Sequence, residues 1–381
     1  MSRILHLLLI TTVFSVVNCS QPTPLSPKAQ KIADFMVKLE QDGLFNGAVL
    51  VAEKGEVIYR SLHGMRSFAP DKAFQQGDAF RIGSISKPFT AVAVHMLVEQ
   101  GKLSYDDALS RFFPELPYNE VTIGNLLSHT SGLYDVYEEI EMREAFYTFY
   151  GKLTPPYTNK DYLAYMIEMK PELIGGPLEL DRYTNTGYVL LGLIVEQLSE
   201  QRFDAFLKER IFDPSGMSRT GIVSLLDGSP PEYVVGSYRL DAVAGIQPTP
   251  DPNVPRSVYG LTYGDDEMYT TMDDLFAFDL ALRSGRLLKP ESLARMMAPP
   301  TLNNGRAARY GQGFNVRSIG GNRYVSHTGS TYSFLSYWQF GQKDSEPSVI
   351  LFSNVRSQRN TFLGVYSALN KILADEPFDP P

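Results

Sequence analysis

Residues 81–88, Arg-Ile-Gly-Ser-Ile-Ser-Lys-Pro, place a serine, Ser84, three positions before a lysine, Lys87. From Lys87 to Gly101 apolar residues recur at helical spacing, so this stretch is predicted to begin a helix. One helical turn brings the amine within reach of the hydroxyl. If packing removes water from Lys87, its basicity falls, and it can take the proton as Ser84 attacks a carbonyl carbon. Unpaired backbone NH groups at the helix start can stabilise an oxyanion.

Two further polar motifs follow in order. Residues 182–188, Arg-Tyr-Thr-Asn-Thr-Gly-Tyr, put the phenol of Tyr183 two positions before the amide of Asn185, just ahead of a predicted helix. Residues 325–330, Val-Ser-His-Thr-Gly-Ser, end a predicted strand in small and polar residues. The Ser-x-x-Lys pattern alone also occurs where the serine caps a helix and the lysine is exposed to solvent. Three motifs in order favour nucleophilic chemistry instead.

Predicted strands lie at both ends of the chain. Residues 47–61 read as a hairpin, and a last helix is expected at about 361–374. Another helix is predicted from Thr271 to near Gly285. The proline-rich residues 228–256 are expected to be a long loop, either a cleft wall or a surface excursion. The sheet should join both chain ends, with a helical middle inserted; its late strands are predicted at 312–316, 323–327, 333–340 and 348–353.

The three motifs resemble those of the serine β-lactamase and penicillin-binding superfamily, which has a Ser-x-x-Lys signature. Tyr-x-Asn as second motif is similar to the class C branch and its esterase and D-aminopeptidase relatives. Residues 101–107 and 121–133 look like the family's block after the nucleophile. The resemblance implies an α+β fold in which helices flank an antiparallel sheet and an all-helical lobe is inserted. The sheet lobe would span about 30–85 and 265–381, and the helical lobe about 86–264.

The resemblance implies roles for the first two motifs. Ser84 would be the acylated nucleophile, and Lys87 with Tyr183 would form the pair that moves protons. Asn185 would hold the substrate's amide or the Lys87 amine. Independently of the family, a phenol and an amine become useful near neutral pH only if charge and desolvation shift their pKa values together.

The third motif is implied to form the cleft edge through His327, Thr328 and Gly329. The backbone NH groups of Ser84 and Ser330 would make the oxyanion hole. His327 replaces the lysine of the Lys-Thr-Gly found in true β-lactamases, which shifts the expected substrates away from antibiotics. A neutral histidine should offer a hydrogen bond more than a charge. In the second motif Thr184 replaces the commoner serine, which adds only a methyl group.

The leading hypothesis is an exported serine hydrolase that cleaves esters, or amides of D-amino acids or peptides, through an acyl-enzyme. The close alternative is a β-lactamase or a penicillin-binding peptidase. An alternative of another class is a catalytically silent binding module with the same fold. Intact Ser84, Lys87, Tyr183 and Asn185 argue against a silent module.

Composition and the remaining motifs limit which partners, cofactors and metals are expected. A net charge of −8 and a pI near 5.3 make nucleic acid an unlikely partner. No cofactor is expected, and the spacing of the histidines does not favour a zinc site. His129, in His-Thr-Ser-Gly-Leu, is implied by the resemblance to support the lobe rather than act as a base. The aromatic residues of 134–157 are expected to be lobe core or a cleft floor.

The first residues read as an export signal. Arg3 precedes an apolar run at residues 4–17 that is too short to span a bilayer comfortably. The only cysteine, Cys19, follows directly and resembles the lipidated cysteine of bacterial lipoproteins, although Asn18 departs from the usual small residue. Residues 1–18 would be the signal peptide and 19–29 a tether, with membrane contact through the lipid at the cell envelope. A conventional cleaved signal or an uncleaved anchor are the alternatives.

Overall fold

The computed structural model describes residues 24–68, 70–135, 148–149, 158–225, 229–241, 245–249, 262–319, 322–341, 346–356 and 359–378. Its centre is a six-stranded antiparallel sheet in the order β10-β11-β12-β13-β1-β2. Strands from both chain ends therefore share one sheet, as predicted. The strands are β1 (Gly47–Glu53), β2 (Glu56–His63), β10 (Asn315–Ile319), β11 (Asn322–Thr331), β12 (Phe334–Phe340) and β13 (Ser348–Ser353).

Each face of the sheet is covered by helices. Because successive side chains of a strand point to opposite faces, Val49 and Val51 pack against α1 (Pro27–Gln41) and α10 (Arg359–Leu373). Their neighbours Ala48 and Leu50 join the larger core on the other face, together with α8 (Met272–Arg283). The central strands β1, β12 and β13 are thus buried on both sides.

The inserted middle of the chain is mainly helical. Its central helix, α2 (Ser86–Glu99), is buried on all sides over most of its length, so its first turn is firmly fixed. Helix α5 (Asn185–Ser199) packs beside it. The other helices are α3 (Ile123–Leu127), α4 (Asn159–Met169), α6 (Phe203–Leu207), α7 (Asp213–Ser215) and, after the middle segment, α9 (Pro290–Met296).

Short strands add to this plan. The middle segment, predicted to be all-helical, contains β6 (Gly221–Ile222), β7 (Tyr238–Asp241) and β8 (Gly245–Pro248). The hairpin of β7 and β8 corrects the expectation of a long loop at 228–256. Strand β7 pairs in parallel with β14 (Val355–Arg356), which follows β13 in the chain and forms a separate three-stranded sheet with β7 and β8. The remaining short strands are β3 (Met65–Phe68), β4 (Asp71–Ala73), β5 (Phe80–Arg81), β9 (Met268–Thr270) and β14 (Val355–Arg356).

Two strand boundaries near the third motif differ from prediction. The strand predicted at 312–316 begins at Asn315, because Gly313 has a φ of +109°, outside the extended region. Strand β11 continues past His327 to Thr331, since this part pairs with β12. Among the described residues, no helix combines the length and apolarity needed to cross a membrane.

Candidate active site

Ser84 lies in a 3-10 turn, Gly83–Ile85, directly before α2. Two glycines let β11 approach this turn. Gly83 has a φ of +54°, and a Cβ added there would lie 2.7 Å from the backbone nitrogen of Ser330. A Cβ on Gly329 would lie 1.9 Å from the carbonyl oxygen of Ile82. The close approach brings the backbone of Ser330 beside Ser84, where the family resemblance implies an oxyanion hole.

Lys87 is fully buried below Ser84. Its Nζ lies 3.1 Å from Ser84 Oγ, 2.7 Å from Asn185 Oδ1 and 2.9 Å from the carbonyl oxygen of Asp265. The amide and carbonyl oxygens can only accept hydrogen bonds, whereas the serine hydroxyl can also donate. Ser84 is therefore the neighbour among these three that can give Lys87 a proton.

Asn185, the first residue of α5, is oriented by Asp135, which sequence reasoning missed. Oδ2 of Asp135 accepts from the backbone nitrogen of Asn185 at 2.6 Å and from its Nδ2 at 3.0 Å. Because the carboxylate takes the NH₂ group, the side-chain oxygen of Asn185 faces Lys87. The negative charge of Asp135 is also favourable at the N-terminus of α5, because this end of the helix dipole is positive. Asp135 lies only two residues beyond the block 121–133, but nothing local indicates a partner 50 residues away.

Tyr183 contributes a buried hydroxyl. No hydrogen-bond partner for this hydroxyl lies within the described part of the chain. Burial raises its pKa well above the ordinary value for a phenol, and the nearby phenol of Tyr310 adds to the rise, while the Ser84 side chain lowers it. Its ring centroid lies 4.9 Å from Lys87 Nζ. The phenol is therefore protonated at neutral pH. It can donate a proton, but it cannot act as a general base without first losing that proton.

His327 on β11 is neutral. Burial and the charge of Lys87 lower its pKa to about 3. Its Nδ1 lies 2.7 Å from the carbonyl oxygen of Thr328, which accepts, so Nδ1 carries the hydrogen. Nε2 is then an acceptor, and it has no partner among the described residues. The sequence argument for a neutral histidine agrees with this environment, but the group offered to the cleft is an acceptor.

His129 supports the second motif. Its Nδ1 accepts from the backbone nitrogen of Thr184 at 3.2 Å, and its ring centroid lies 4.3 Å from that of Tyr183. Burial, followed by the charge of Lys87, holds its pKa well below the ordinary value. It packs behind Tyr183, in the manner expected of a supporting residue.

A cleft of about 670 Å³ opens at Ser84, and among its walls are all the residues predicted for the site except Lys87, which lies beneath it. Three consecutive acids that sequence reasoning did not assign, residues 265–267, also line it. Burial raises the pKa of both Asp265 and Asp266. Glu267 pairs with the buried Arg81 at 2.5 Å. The predicted wall residues are Ser84, Tyr183, Asn185, His327, Thr328, Gly329 and Ser330.

Some predictions fall outside the described residues. The signal peptide and the first part of the tether, residues 19–23 with Cys19, lie there, as do Tyr137, Phe146, Tyr147, Tyr150 and Tyr157 of the aromatic cluster. Within the described ranges, no group of three or more histidine, cysteine or acidic side chains is placed to hold a metal ion.

The fold and comparisons with known proteins identify the chain as a hydrolase of the serine hydrolase superfamily. Residues 29–360 match the family described as Beta-lactamase, and the chain belongs to this family. It is 31% identical over 360 residues to penicillin-binding protein 4* of Bacillus subtilis, covering 93% of this chain and 78% of that protein. It is 28% identical to esterase EstB of Burkholderia gladioli, covering 72% and 76% respectively.

Solved structures share the fold. A penicillin-binding protein from Bacillus halodurans superposes with a TM-score of 0.74 at 24% identity, covering 88% of this chain and 99% of that one. A D-amino acid amidase from Ochrobactrum anthropi superposes with a TM-score of 0.72 at 23% identity, covering 92% and 98%. The antiparallel sheet with flanking helices and an inserted helical segment is therefore a fold already seen in such proteins.

Proposed function

We propose that the protein cleaves ester or amide bonds through an acyl-enzyme on Ser84. The observation that carries the proposal is the buried contact of 3.1 Å between Lys87 Nζ and Ser84 Oγ. With a neutral amine, two N–H bonds donate to Asn185 Oδ1 and the Asp265 carbonyl oxygen. The lone pair of the amine then faces the serine hydroxyl, ready to accept its proton.

Acylation follows from this arrangement. Lys87 accepts the proton as Ser84 Oγ bonds to the carbonyl carbon, and the backbone NH groups of Ser84 and Ser330 stabilise the oxyanion. As the bond to the leaving group breaks, the Tyr183 hydroxyl protonates the departing atom and is reprotonated by Lys87. Water then attacks the acyl-enzyme, giving its proton to the same pair, and Ser84 Oγ leaves with a proton. No net proton is gained or lost by the enzyme.

One observation argues against the alternative of a β-lactamase or a penicillin-binding peptidase. β-Lactams carry a carboxylate, and the cleft presents to it an acceptor nitrogen of His327 rather than a lysine ammonium. Two acceptors cannot share a hydrogen bond, so esters and amides without a carboxylate at this position suit the site better.

Intact mass after incubation with a fluorophosphonate, and separately with a penicillin, tests this proposal. We expect the fluorophosphonate to add one adduct, located on Ser84 by peptide mapping and absent from Ser84→Ala. An adduct on Ser86 or Ser131 contradicts the assignment. No adduct with either reagent favours the silent binding module, and rapid turnover of penicillin favours the β-lactamase alternative.

We further propose that the enzyme is exported and anchored at the cell envelope through a lipid on Cys19. The support is the sequence alone: a short apolar run ending at the only cysteine of the chain. In a bacterial host that processes lipoproteins, a fatty-acid analogue should label the wild type and not Cys19→Ala. Equal labelling of both, or of neither, contradicts lipidation.

A further inference from the structure

A buried arginine, Arg81, ends β5 three residues before Ser84 and is 2% exposed. One of its terminal nitrogens lies 2.5 Å from Glu267 Oε1, and its guanidinium carbon lies 4.6 Å from the ring centroid of Tyr332. Glu267 and Tyr332 both line the cleft that opens at Ser84, whereas Arg81 does not. The guanidinium of Arg81 therefore joins two parts of the cleft wall that are far apart in the sequence.

Both contacts of Arg81 are made to residues with an uncommon backbone conformation. Glu267 has a φ of +74° and Tyr332 a φ of +51°, in the left-handed region that residues other than glycine rarely adopt. Such residues persist only where the surrounding structure holds them, and they cluster at functional sites. Arg81 supplies a holding contact to each of them, an ion pair to Glu267 and a cation–π contact to Tyr332.

Each of these two residues follows, by two positions, a backbone group that the proposed reaction uses. Glu267 follows Asp265, whose carbonyl oxygen accepts from Lys87 Nζ at 2.9 Å. Tyr332 follows Ser330, whose backbone NH is the proposed second oxyanion donor. Because peptide planes are rigid, fixing one residue limits how the peptide groups just before it can turn. A contact at Glu267 or Tyr332 therefore also restrains the functional group two positions earlier.

We propose that Arg81 is a positioning residue for both backbone groups. Through Glu267 it holds the Asp265 carbonyl at the catalytic amine. Through Tyr332 it holds the Ser330 NH at the site of the oxyanion. The inference rests on the proposed function, because that function gives the two backbone groups their task. Since Arg81 lies outside the cleft wall, it acts through its neighbours rather than on the substrate.

The two segments that Arg81 contacts differ in what else holds them. Ser330 belongs to the ladder between β11 and β12, so the main sheet also fixes its backbone. Residues 265–267 come before β9, and the backbone nitrogen of Val223, which donates to the carbonyl oxygen of Glu267 at 2.8 Å, holds only the C-terminal side of Glu267. Loss of the Arg81 guanidinium should therefore disturb residues 265–267 more than Ser330.

The double variant Arg81→Met with Glu267→Met removes the ion pair without leaving one buried charge alone. Replacement of a buried ion pair by apolar groups of similar volume is often close to neutral for stability. The melting temperature should therefore stay near that of wild type. The kcat for p-nitrophenyl butyrate should nevertheless fall about 10-fold or more, with KM changed less, because small displacements of catalytic groups are costly. A double variant as stable and as fast as wild type overturns the inference.

The single variant Glu267→Gln, with Asp279→Asn as its matched control, separates positioning from stability. Both carboxylates are buried and lie 2.5 Å from an arginine nitrogen, but Asp279 pairs with Arg283 on α8 and does not line the cleft. Both variants should lower the melting temperature, because each leaves a buried or half-buried arginine with a neutral partner. Only Glu267→Gln should also lower kcat, by about 10-fold. An unchanged kcat in Glu267→Gln contradicts the positioning role.

Amide hydrogen exchange measures the positioning without any turnover. In the double variant, peptides that cover residues 264–267 should exchange roughly 10-fold faster than in wild type, and peptides that cover 330–333 should change less. Peptides from α9 serve as the internal reference and should not change. Unchanged exchange at 264–267 overturns the inference even if turnover falls. Failure of the proposed function would look different, because wild type itself would neither hydrolyse esters nor react with the fluorophosphonate.

Discussion

Two sets of polar groups meet at Ser84, and they differ in how well they are satisfied. In the Lys87–Asn185–Asp135 chain, each member bonds to the next, and the chain ends on a helix N-terminus. In the second set, the Tyr183 hydroxyl, Nε2 of His327 and Oδ1 of Asp265 are buried without partners among the described residues. The first set is fixed before substrate arrives. We propose that a bound substrate supplies the partners that the second set lacks.

This contrast separates groups that hold the catalytic residues in place from groups that recognise the substrate or transfer a proton. A satisfied network is rigid and costly to disturb. An unsatisfied buried group lowers stability and persists where function requires it. Variants in the two sets should therefore differ in how they affect stability relative to turnover.

The largest effect is expected for Ser84→Ala. Without the nucleophile, turnover of p-nitrophenyl butyrate should fall at least about 10⁴-fold. Ser84, Lys87 and Tyr183 act as a unit, so removal of the serine also removes most of the rate enhancement from the other two. Binding should survive, since the oxyanion donors and cleft walls remain. Ser104→Ala, at an exposed serine outside the cleft, serves as the control and should keep its rate. Substantial turnover by Ser84→Ala would assign the nucleophile to another residue.

Next in size is Tyr183→Phe, from the unsatisfied set. Loss of the proton donor should lower kcat roughly 10²-fold or more. The melting temperature should not fall, because the hydroxyl has no hydrogen bond to lose. The measurements are steady-state kinetics and thermal unfolding. An unchanged kcat would mean that Lys87 moves protons alone.

His327→Lys should change substrate preference. Replacing an acceptor nitrogen by an ammonium adds a charge-assisted hydrogen bond for an anionic substrate, a gain of about 10 to 150-fold. The readout is the ratio of kcat/KM for nitrocefin to that for p-nitrophenyl acetate at about pH 7.5. Wild type should favour the ester. If the variant shows no relative gain toward nitrocefin, or wild type already hydrolyses nitrocefin rapidly, the third-motif argument is wrong.

The smallest effect is expected for Asp135→Asn, in the satisfied set. Without the carboxylate the Asn185 amide is held less firmly against Lys87, and kcat should fall about 10-fold. Stability should fall too, by about 1 to 3 kcal/mol, as two hydrogen bonds to a charged group are weakened.

Asp161→Asn is the matched control, because Asp161 caps α4 through the backbone nitrogen of Thr158 away from the cleft. It should lower stability without lowering kcat. If Asp135→Asn also leaves kcat unchanged, Asp135 only stabilises the fold.

Elements with strong local signals were predicted well. The helix after Ser84, the helix from Asn185 and the hairpin at 47–61 follow from the spacing of apolar residues, and all are present. The short strands of the middle segment were missed, since β7 depends on pairing with β14, more than 100 residues later in the chain. The predicted start of β10 was wrong because the pattern of apolar and polar side chains does not reveal the backbone conformation of Gly313.

The sequence by itself determined the order and local geometry of the three motifs, because a spacing of three residues at a helix start places Ser84 and Lys87 together wherever that helix packs. Only the tertiary structure decided what surrounds them. Lys87 meets a carbonyl 178 residues further along the chain, Asp135 meets Asn185 across 50 residues, and burial keeps His327 neutral. Desolvation and long-range hydrogen bonds arise from packing of the whole chain, and no local pattern contains them.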